Sequence, residues 1–225
     1  MASTLQLPGR GVMPPVDPRS EPARYYYWPV VGWFYRKRLS MILDHLAAEP
    51  GGRWLEVAYG SGIFMPSLAR RCDSLHGVDR HRHAGRVRNA LRKMDLHTRL
   101  LPADALALPY RDAAFDAVIN VSMLEHLPTP GRAIAEMLRV LAPGGVLALG
   151  FPCRNPWMDV FFRMLGYNPR KIHPSSHNDI LACVDQLGLA AEVRAFPRWV
   201  PLSLALYCVC IIHEPGLPSG QAGHG

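Results

Sequence analysis

The sequence predicts an α/β fold: a doubly wound, mostly parallel seven-stranded sheet with an antiparallel edge strand and helices on both faces. Two observations carry this. Short β-type runs alternate with segments of helical period between residues 54 and 151. The last two β-type runs, 191–196 and 202–212, lie too close together for a crossover helix, so they must pair antiparallel.

The elements follow in order. Residues 54–58 (WLEVA) form a strand after the turn signal Pro50-Gly51-Gly52, and helical spacing over 63–71 follows directly. A second strand covers 74–78, a basic helix 85–94 and a third strand 98–101. Residues 115–121 (FDAVINV) are the fourth strand. An amphipathic helix over 132–141 shows Ile134, Met137, Leu138 and Leu141 on one stripe and stops at Pro143-Gly144-Gly145. The continuous apolar run 146–151 is a strand buried on both faces. Residues 153–177 read as an irregular insertion rich in aromatics, basic residues and prolines. Ser176 to Asp179 then has the spacing of a capping box, opening a helix to about residue 187 that Gly188 closes.

At 225 residues, with 49% hydrophobic and 19% charged residues, the chain is a globular unit with a core that needs no disulfide or metal staple. The domain is expected at 25–213, with an aromatic amino-terminal cap at 25–49 and a substrate-side insertion at 153–177. Residues 1–24, which hold five prolines, read as a disordered leader, and 214–225 as a disordered tail. The cap cluster Tyr25-Tyr26-Tyr27-Trp28 and Trp33-Phe34-Tyr35 suits a lid over a ligand or a helix packed on the sheet.

The five cysteines are odd in number and contain no Cys-x-x-Cys pair, so reduced thiols and a cytoplasmic location are expected. The longest uncharged run, 199–212, is 14 residues and contains Pro201, short of the roughly 18–20 needed for a membrane span. No signal peptide is evident. The net charge of +7 suits an anionic partner. Arg80, Arg82, Arg86, Arg88, Arg92 and Lys93 supply much of it, on what reads as a solvated helix face or a peripheral contact with anionic membrane. Nucleic acid is disfavoured because no recognition module accompanies the charge.

The first strand runs into Glu56-Val57-Ala58-Tyr59-Gly60-Ser61-Gly62. Gly60 and Gly62 allow a tight strand-to-helix turn and let a ligand lie against bare backbone. The third glycine of a dinucleotide fingerprint is absent, since Ile63 stands there. Asp79 ends the second strand, where a carboxylate accepts both hydroxyls of a ribose and repels a 2′-phosphate. Asp104, after the third strand, is placed to accept from an adenine amino group.

These motifs, together with the stretch from Phe115 to Leu127 and Leu141-Ala142-Pro143-Gly144-Gly145, resemble the class I S-adenosylmethionine-dependent methyltransferases with their Rossmann-like sheet. The style is closest to the small-molecule branch that includes quinone methyltransferases, and the resemblance covers about residues 50–152. It implies S-adenosyl-L-methionine as cofactor. Glu56 and the backbone of Ala58, Tyr59, Gly60, Ser61 and Gly62 would hold its methionine portion, lined also by Asn120 and Val121. Asp79 would take the ribose with Arg80 beside it, and Asp104 and Ala105 would cradle the adenine. The chain departs from the family at Ala58, where glycine is usual, and at Tyr59, which is bulky enough to narrow the pocket or touch substrate.

His126, His173 and His177 are the candidate acid–base groups. Each has a plainer role open to it: a structural turn for His126, loop and helix-cap duty for the other two. No metal-ligand spacing is visible, which disfavours a magnesium-dependent mechanism. The expected reaction is methyl transfer to an O, N or C atom of a small, hydrophobic or lipid-like acceptor. The alternatives are another reaction in the same pocket, such as cyclisation, or a noncatalytic binding role.

Overall fold

A computed structural model describes residues 5–14, 23–46, 51–164 and 173–214. The strands are β1 (Arg53–Val57), β2 (Ser74–Asp79), β3 (Thr98–Pro102), β4 (Phe115–Val121), β5 (Leu141–Pro152), β6 (Ala191–Phe196) and β7 (Tyr207–His213). They form one seven-stranded sheet in the order β3-β2-β1-β4-β5-β7-β6. The pairs among β1 to β5 are parallel. β7 pairs antiparallel with both β5 and β6, as the short link between the last two strands predicts.

The helices are α1 (Pro29–Leu46), α2 (Met65–Ala69), α3 (Ala84–Arg92), α4 (Pro130–Val140), α5 (Pro156–Met164) and α6 (His177–Gln186). Alternate strand residues feed two cores. Trp54, Ile119, Ala148 and Val209 face α1, α2 and α3, whereas Leu55, Val118, Leu147 and Cys210 face α4 and α6. The strand order reverses between β1 and β4, and this reversal opens a crevice at the carboxyl ends of those strands.

The element boundaries depart from the sequence reading for local reasons. α2 is five residues long because Gly62 is left-handed and the chain turns at Ile63 and Phe64 before helix begins. β5 starts at Leu141, which pairs with Phe115 ahead of a register shift, so Pro143-Gly144-Gly145 lies inside the strand rather than before it. β7 starts only at Tyr207, because its partner β5 ends at Pro152; residues Leu202–Leu204 form a 3₁₀ turn instead. The insertion is not wholly irregular, since Pro156 opens α5 at a position that needs no N–H donor. The capping box of α6 is present, with Ser176 Oγ accepting from the Asp179 amide and Asp179 accepting from the Ser176 amide.

The leader expectation changes over residues 5–14. Gln6 exchanges two 2.8 Å hydrogen bonds with the Ser67 hydroxyl, which accepts from its N–H and donates to its carbonyl. Tyr27 donates to the Pro8 carbonyl at 2.6 Å, and Met13 is buried against the first core. Composition alone misses this because the binding surface belongs to α2 and the cap. Residues 215–225 of the expected tail lie outside the described residues. In the cap, Tyr25 and Tyr26 both pack on Tyr35, so these aromatics are core. All five cysteines are free. Among the described residues no helix is long and apolar enough to cross a membrane.

Candidate functional site

The crevice is built first from backbone. Ala58 continues β1 by donating to the Val78 carbonyl at 2.8 Å, then the chain turns sharply. Ala58, Gly60 and Gly62 all have left-handed φ, at 61°, 54° and 76°. Glycine takes this region freely, whereas an L-residue pays roughly 1–2 kcal/mol for it. The departure at Ala58 therefore stores strain in the ligand loop.

Asp79 closes the loop from the next strand. Its Oδ2 accepts from the Gly60 amide at 2.8 Å and its Oδ1 from the His81 amide at 3.1 Å. A carboxylate has about four acceptor positions, so two remain for a ribose diol. His81, absent from the sequence reading, braces the same loop. Its Nδ1 accepts from the His83 amide at 3.1 Å, which leaves the proton on Nε2 to donate to the Gly60 carbonyl at 2.8 Å.

Tyr59 turns away from the crevice. Its ring is buried in the core of α1 to α3 and stands edge-on to His81, with centroids 5.0 Å apart. Burial, reinforced by Asp79, pushes its hydroxyl pKa up. The bulky residue thus supports the loop from behind.

The remaining cofactor candidates line the same edge. Glu56 and Ser61 are buried beside the glycines. Asn120 bridges the strand-order reversal, donating to the Val57 carbonyl at 2.8 Å. Its Oδ1 is buried with no hydrogen-bond partner among the described residues, an acceptor left for a ligand. Val121 ends β4 beside it, half-buried. Asp104 and Ala105 form a turn after β3, in which Asp104 Oδ1 accepts from the Leu106 amide at 3.0 Å. Arg80 reaches Asp104 at 3.8 Å, an exposed pair that contributes little to stability.

A second cluster lies at the sheet edge formed by the carboxyl ends of β4 and β5 and the amino end of β7. Carboxylate and ring-nitrogen atoms of Glu125, His126 and His173 lie within 4.8 Å of one another, and the two imidazole rings are 4.9 Å apart. The insertion is held there by Ser175, whose amide donates to the Glu125 carbonyl and whose hydroxyl donates to the Leu127 carbonyl. Burial holds the His173 pKa down at about 4, with the charges of His126 and Arg154 adding to the effect. Burial also raises the Glu125 carboxyl, against the pull of His126 and Arg38. Sequence spacing shows no metal-ligand pattern, yet the fold joins residues 47 positions apart into a group of metal-ligand type. His177 does not join them; its Nδ1 accepts from the Arg154 amide at 3.0 Å and fixes the start of the insertion.

Arg38 is a crevice candidate that no motif in the sequence marks. Its guanidinium lies over the rings of Tyr35 and Tyr207, at 4.4 and 4.9 Å. It makes no hydrogen bond or ion pair among the described residues, and its Nε is buried without a partner. Burial works against the charge, but Tyr26, Tyr207, Tyr35 and Glu125 outweigh it and keep the group cationic. Tyr207 places this cation at the crevice, since its hydroxyl is 3.3 Å from Ser122 Oγ, next to Val121.

A mostly parallel sheet with a glycine loop after β1 and a carboxylate ending β2 defines a nucleoside-cofactor protein of the Rossmann-like class. The methyltransferase domain family model matches residues 55–149. An uncharacterized methyltransferase from Mycobacterium sp. (strain JLS) is 30% identical over 81% of this chain and 79% of its own length. A demethylmenaquinone methyltransferase from Renibacterium salmoninarum is 32% identical over 72% of this chain and 67% of its own. The fold matches a geranyl diphosphate methyltransferase solved with S-adenosylmethionine at a TM-score of 0.63 and 19% identity, covering 86% of this chain and 95% of that one. It matches the cyclase SpnF at 0.65 and 20% identity, covering 80% and 81%. The chain belongs to the methyltransferase domain family and is an S-adenosylmethionine-dependent methyltransferase.

Proposed function

We propose that the enzyme methylates a hydroxyl group on a small, hydrophobic, quinol-like acceptor bound against the cluster of Glu125, His126 and His173. The observation that carries this reading is that cluster, three proton-accepting groups gathered beside the end of β4. The cofactor, when bound, supplies an activated methyl group; the chain's own part is to hold and deprotonate the nucleophile. His173 is neutral throughout the physiological range and orients His126, which accepts the acceptor's hydroxyl proton as the oxygen attacks. The Glu125 carboxylate, within 4.8 Å of a ring nitrogen of each histidine, favours the imidazolium that forms. Glu56, residues 58–62, Asn120 and Val121 would hold the methionine portion of the cofactor, Arg38 would offer a cation to its α-carboxylate, and Asp79 would take the ribose.

The names of the quinone methyltransferases among the relatives lead in the same direction. The free cysteines suit a reducing cytoplasm. The experiment is transfer of labelled methyl to a panel of hydrophobic phenols, catechols and amines. Labelled ethers are the expected product. Consumption of an acceptor without label transfer would instead support cyclisation or a related reaction.

A second reading is favoured by Glu125 Oε2, which is buried without a hydrogen-bond partner among the described residues. Glu125, His126 and His173 are the carboxylate and imidazole donors that a divalent cation takes, and such a cation lowers the pKa of a bound hydroxyl. Activity lost to EDTA and restored by one divalent metal would replace the base by the metal.

A further inference from the structure

We propose that the aromatic rim at the carboxyl end of β5 and the amino end of β7 is a docking surface for an anionic lipid bilayer, which would deliver a lipid-like acceptor into the crevice. The proposal rests on the hydrophobic-acceptor reading above.

Four of the five tryptophans are exposed: Trp28 at 43%, Trp33 at 56%, Trp157 at 69% and Trp199 at 85%. Large aromatics left in water on a small protein mark an interaction surface. Indoles in particular are at home in the headgroup layer, with an apolar body and a polar N–H.

The fold gathers these residues. Trp33 packs edge-on against Phe196 at 5.5 Å, so the start of α1 adjoins the end of β6. Trp199 lies three residues past Phe196 in the link to β7. That link also meets the segment before α5: Cys153 donates to the Leu206 carbonyl and Asn155 to the Ala205 carbonyl. Trp157 is in the first turn of α5, whose exposed Val160 and Met164 add apolar surface. Phe34 meets Tyr207 at 6.5 Å, and Tyr207 carries Arg38 over its ring, so the rim borders the acceptor side of the crevice.

Charge selects the partner. Residues 23–37, 152–164 and 196–207 carry Arg24, Arg36, Lys37, Arg154, Arg163 and Arg198 against one acid, Asp159. That is a net of five positive charges out of +7 for the whole chain. Exposed indoles among basic side chains with almost no acids fit an anionic interface, where each basic residue near the surface contributes about 1 kcal/mol. A protein partner of ordinary composition gives no reason for such one-sided charge. A second copy of this chain would set like charges together.

The test uses the full chain with vesicles of phosphatidylcholine alone or mixed with phosphatidylglycerol, at low and high salt. The chain is expected to float with the anionic vesicles only, to shift its tryptophan emission to the blue, and to release as salt rises. The Trp157→Ser/Trp199→Ser variant is expected to lose about tenfold or more in partitioning while S-adenosylhomocysteine affinity is unchanged. The Arg86→Glu/Lys93→Glu variant on α3 is expected to bind vesicles as the parent does. No binding to anionic vesicles at low salt overturns the proposal. So does loss through the α3 variant but not the tryptophan variant, or a stable dimer in solution that shields the tryptophans. Methylation of a short, water-dispersed phenol without vesicles tests the acceptor reading separately.

Discussion

The carboxylate of Asp79 holds the amide of Gly60 at 2.8 Å, tying the end of β2 to the middle of the loop that follows β1. The residue proposed to take the ribose therefore also fixes the loop proposed to hold the methionine portion. Asp79→Asn sets an amide NH₂ against one of the two N–H donors, from Gly60 or His81, that the carboxylate now accepts. A hydrogen bond to a charged group contributes about 1.5–3 kcal/mol. S-adenosylhomocysteine affinity is expected to fall roughly 10- to 100-fold by calorimetry. Unchanged affinity would show that neither the loop nor the ribose depends on this carboxylate.

The loop and strand end proposed to hold the cofactor were legible as local structure. Glu56 to Gly62 and Asp79 are each next to the strand end that positions them, and a short motif records that. The acceptor half was not. Arg38, Glu125, His173 and Tyr207 come from four separate elements, and only the β5–β7 pairing brings Tyr207 to the end of β4. The strands were legible from apolar runs, but their ends were set by partners: β7 begins where Pro152 ends β5. Residues 5–14 illustrate the same limit, because proline content says nothing about a Ser67 hydroxyl waiting on α2.

Ala58 is the one non-glycine residue among the three left-handed positions of the cofactor loop. Ala58→Gly relieves roughly 1–2 kcal/mol of backbone strain and returns part of it as unfolded-chain entropy. A gain of roughly 0.5–1 kcal/mol is expected from the urea midpoint. A lower midpoint would mean that the alanine methyl makes a contact worth more than the strain.

His177 gives the fold an acid sensitivity of definite sign. Burial lowers its pKa below the ordinary value, with Asp179 opposing, and its Nδ1 accepts from the Arg154 amide in the neutral form. The unfolded chain takes up this proton near pH 6.5 and the folded chain does not. The stability it contributes is whole above about pH 6.5 and declines as the pH falls below it; His173, lowered to about 4, acts with the same sign. In His177→Asn the amide oxygen keeps the Arg154 contact without a titrating group. Its melting temperature is expected to drop less between pH 7.5 and 5 than that of the parent. Equal drops would assign the acid sensitivity to other groups.

Arg38 separates binding from stability more sharply than any other residue in the crevice. A half-buried guanidinium with no ion pair among the described residues costs folding energy, and two tyrosine rings offset only part of that cost. Arg38→Met removes the charge and leaves an apolar chain between the same rings, an exchange that is neutral or stabilising at many buried sites. The melting temperature is therefore expected to hold or rise. If the cation meets the cofactor's α-carboxylate, S-adenosylhomocysteine affinity falls about tenfold or more, as loss of a charged hydrogen bond requires. Affinity for 5′-methylthioadenosine, which has the same nucleoside and no carboxylate, stays as in the parent. Equal losses for both ligands would instead mean that Arg38 shapes the crevice as a whole. Unchanged affinity for both would move its charge to the acceptor.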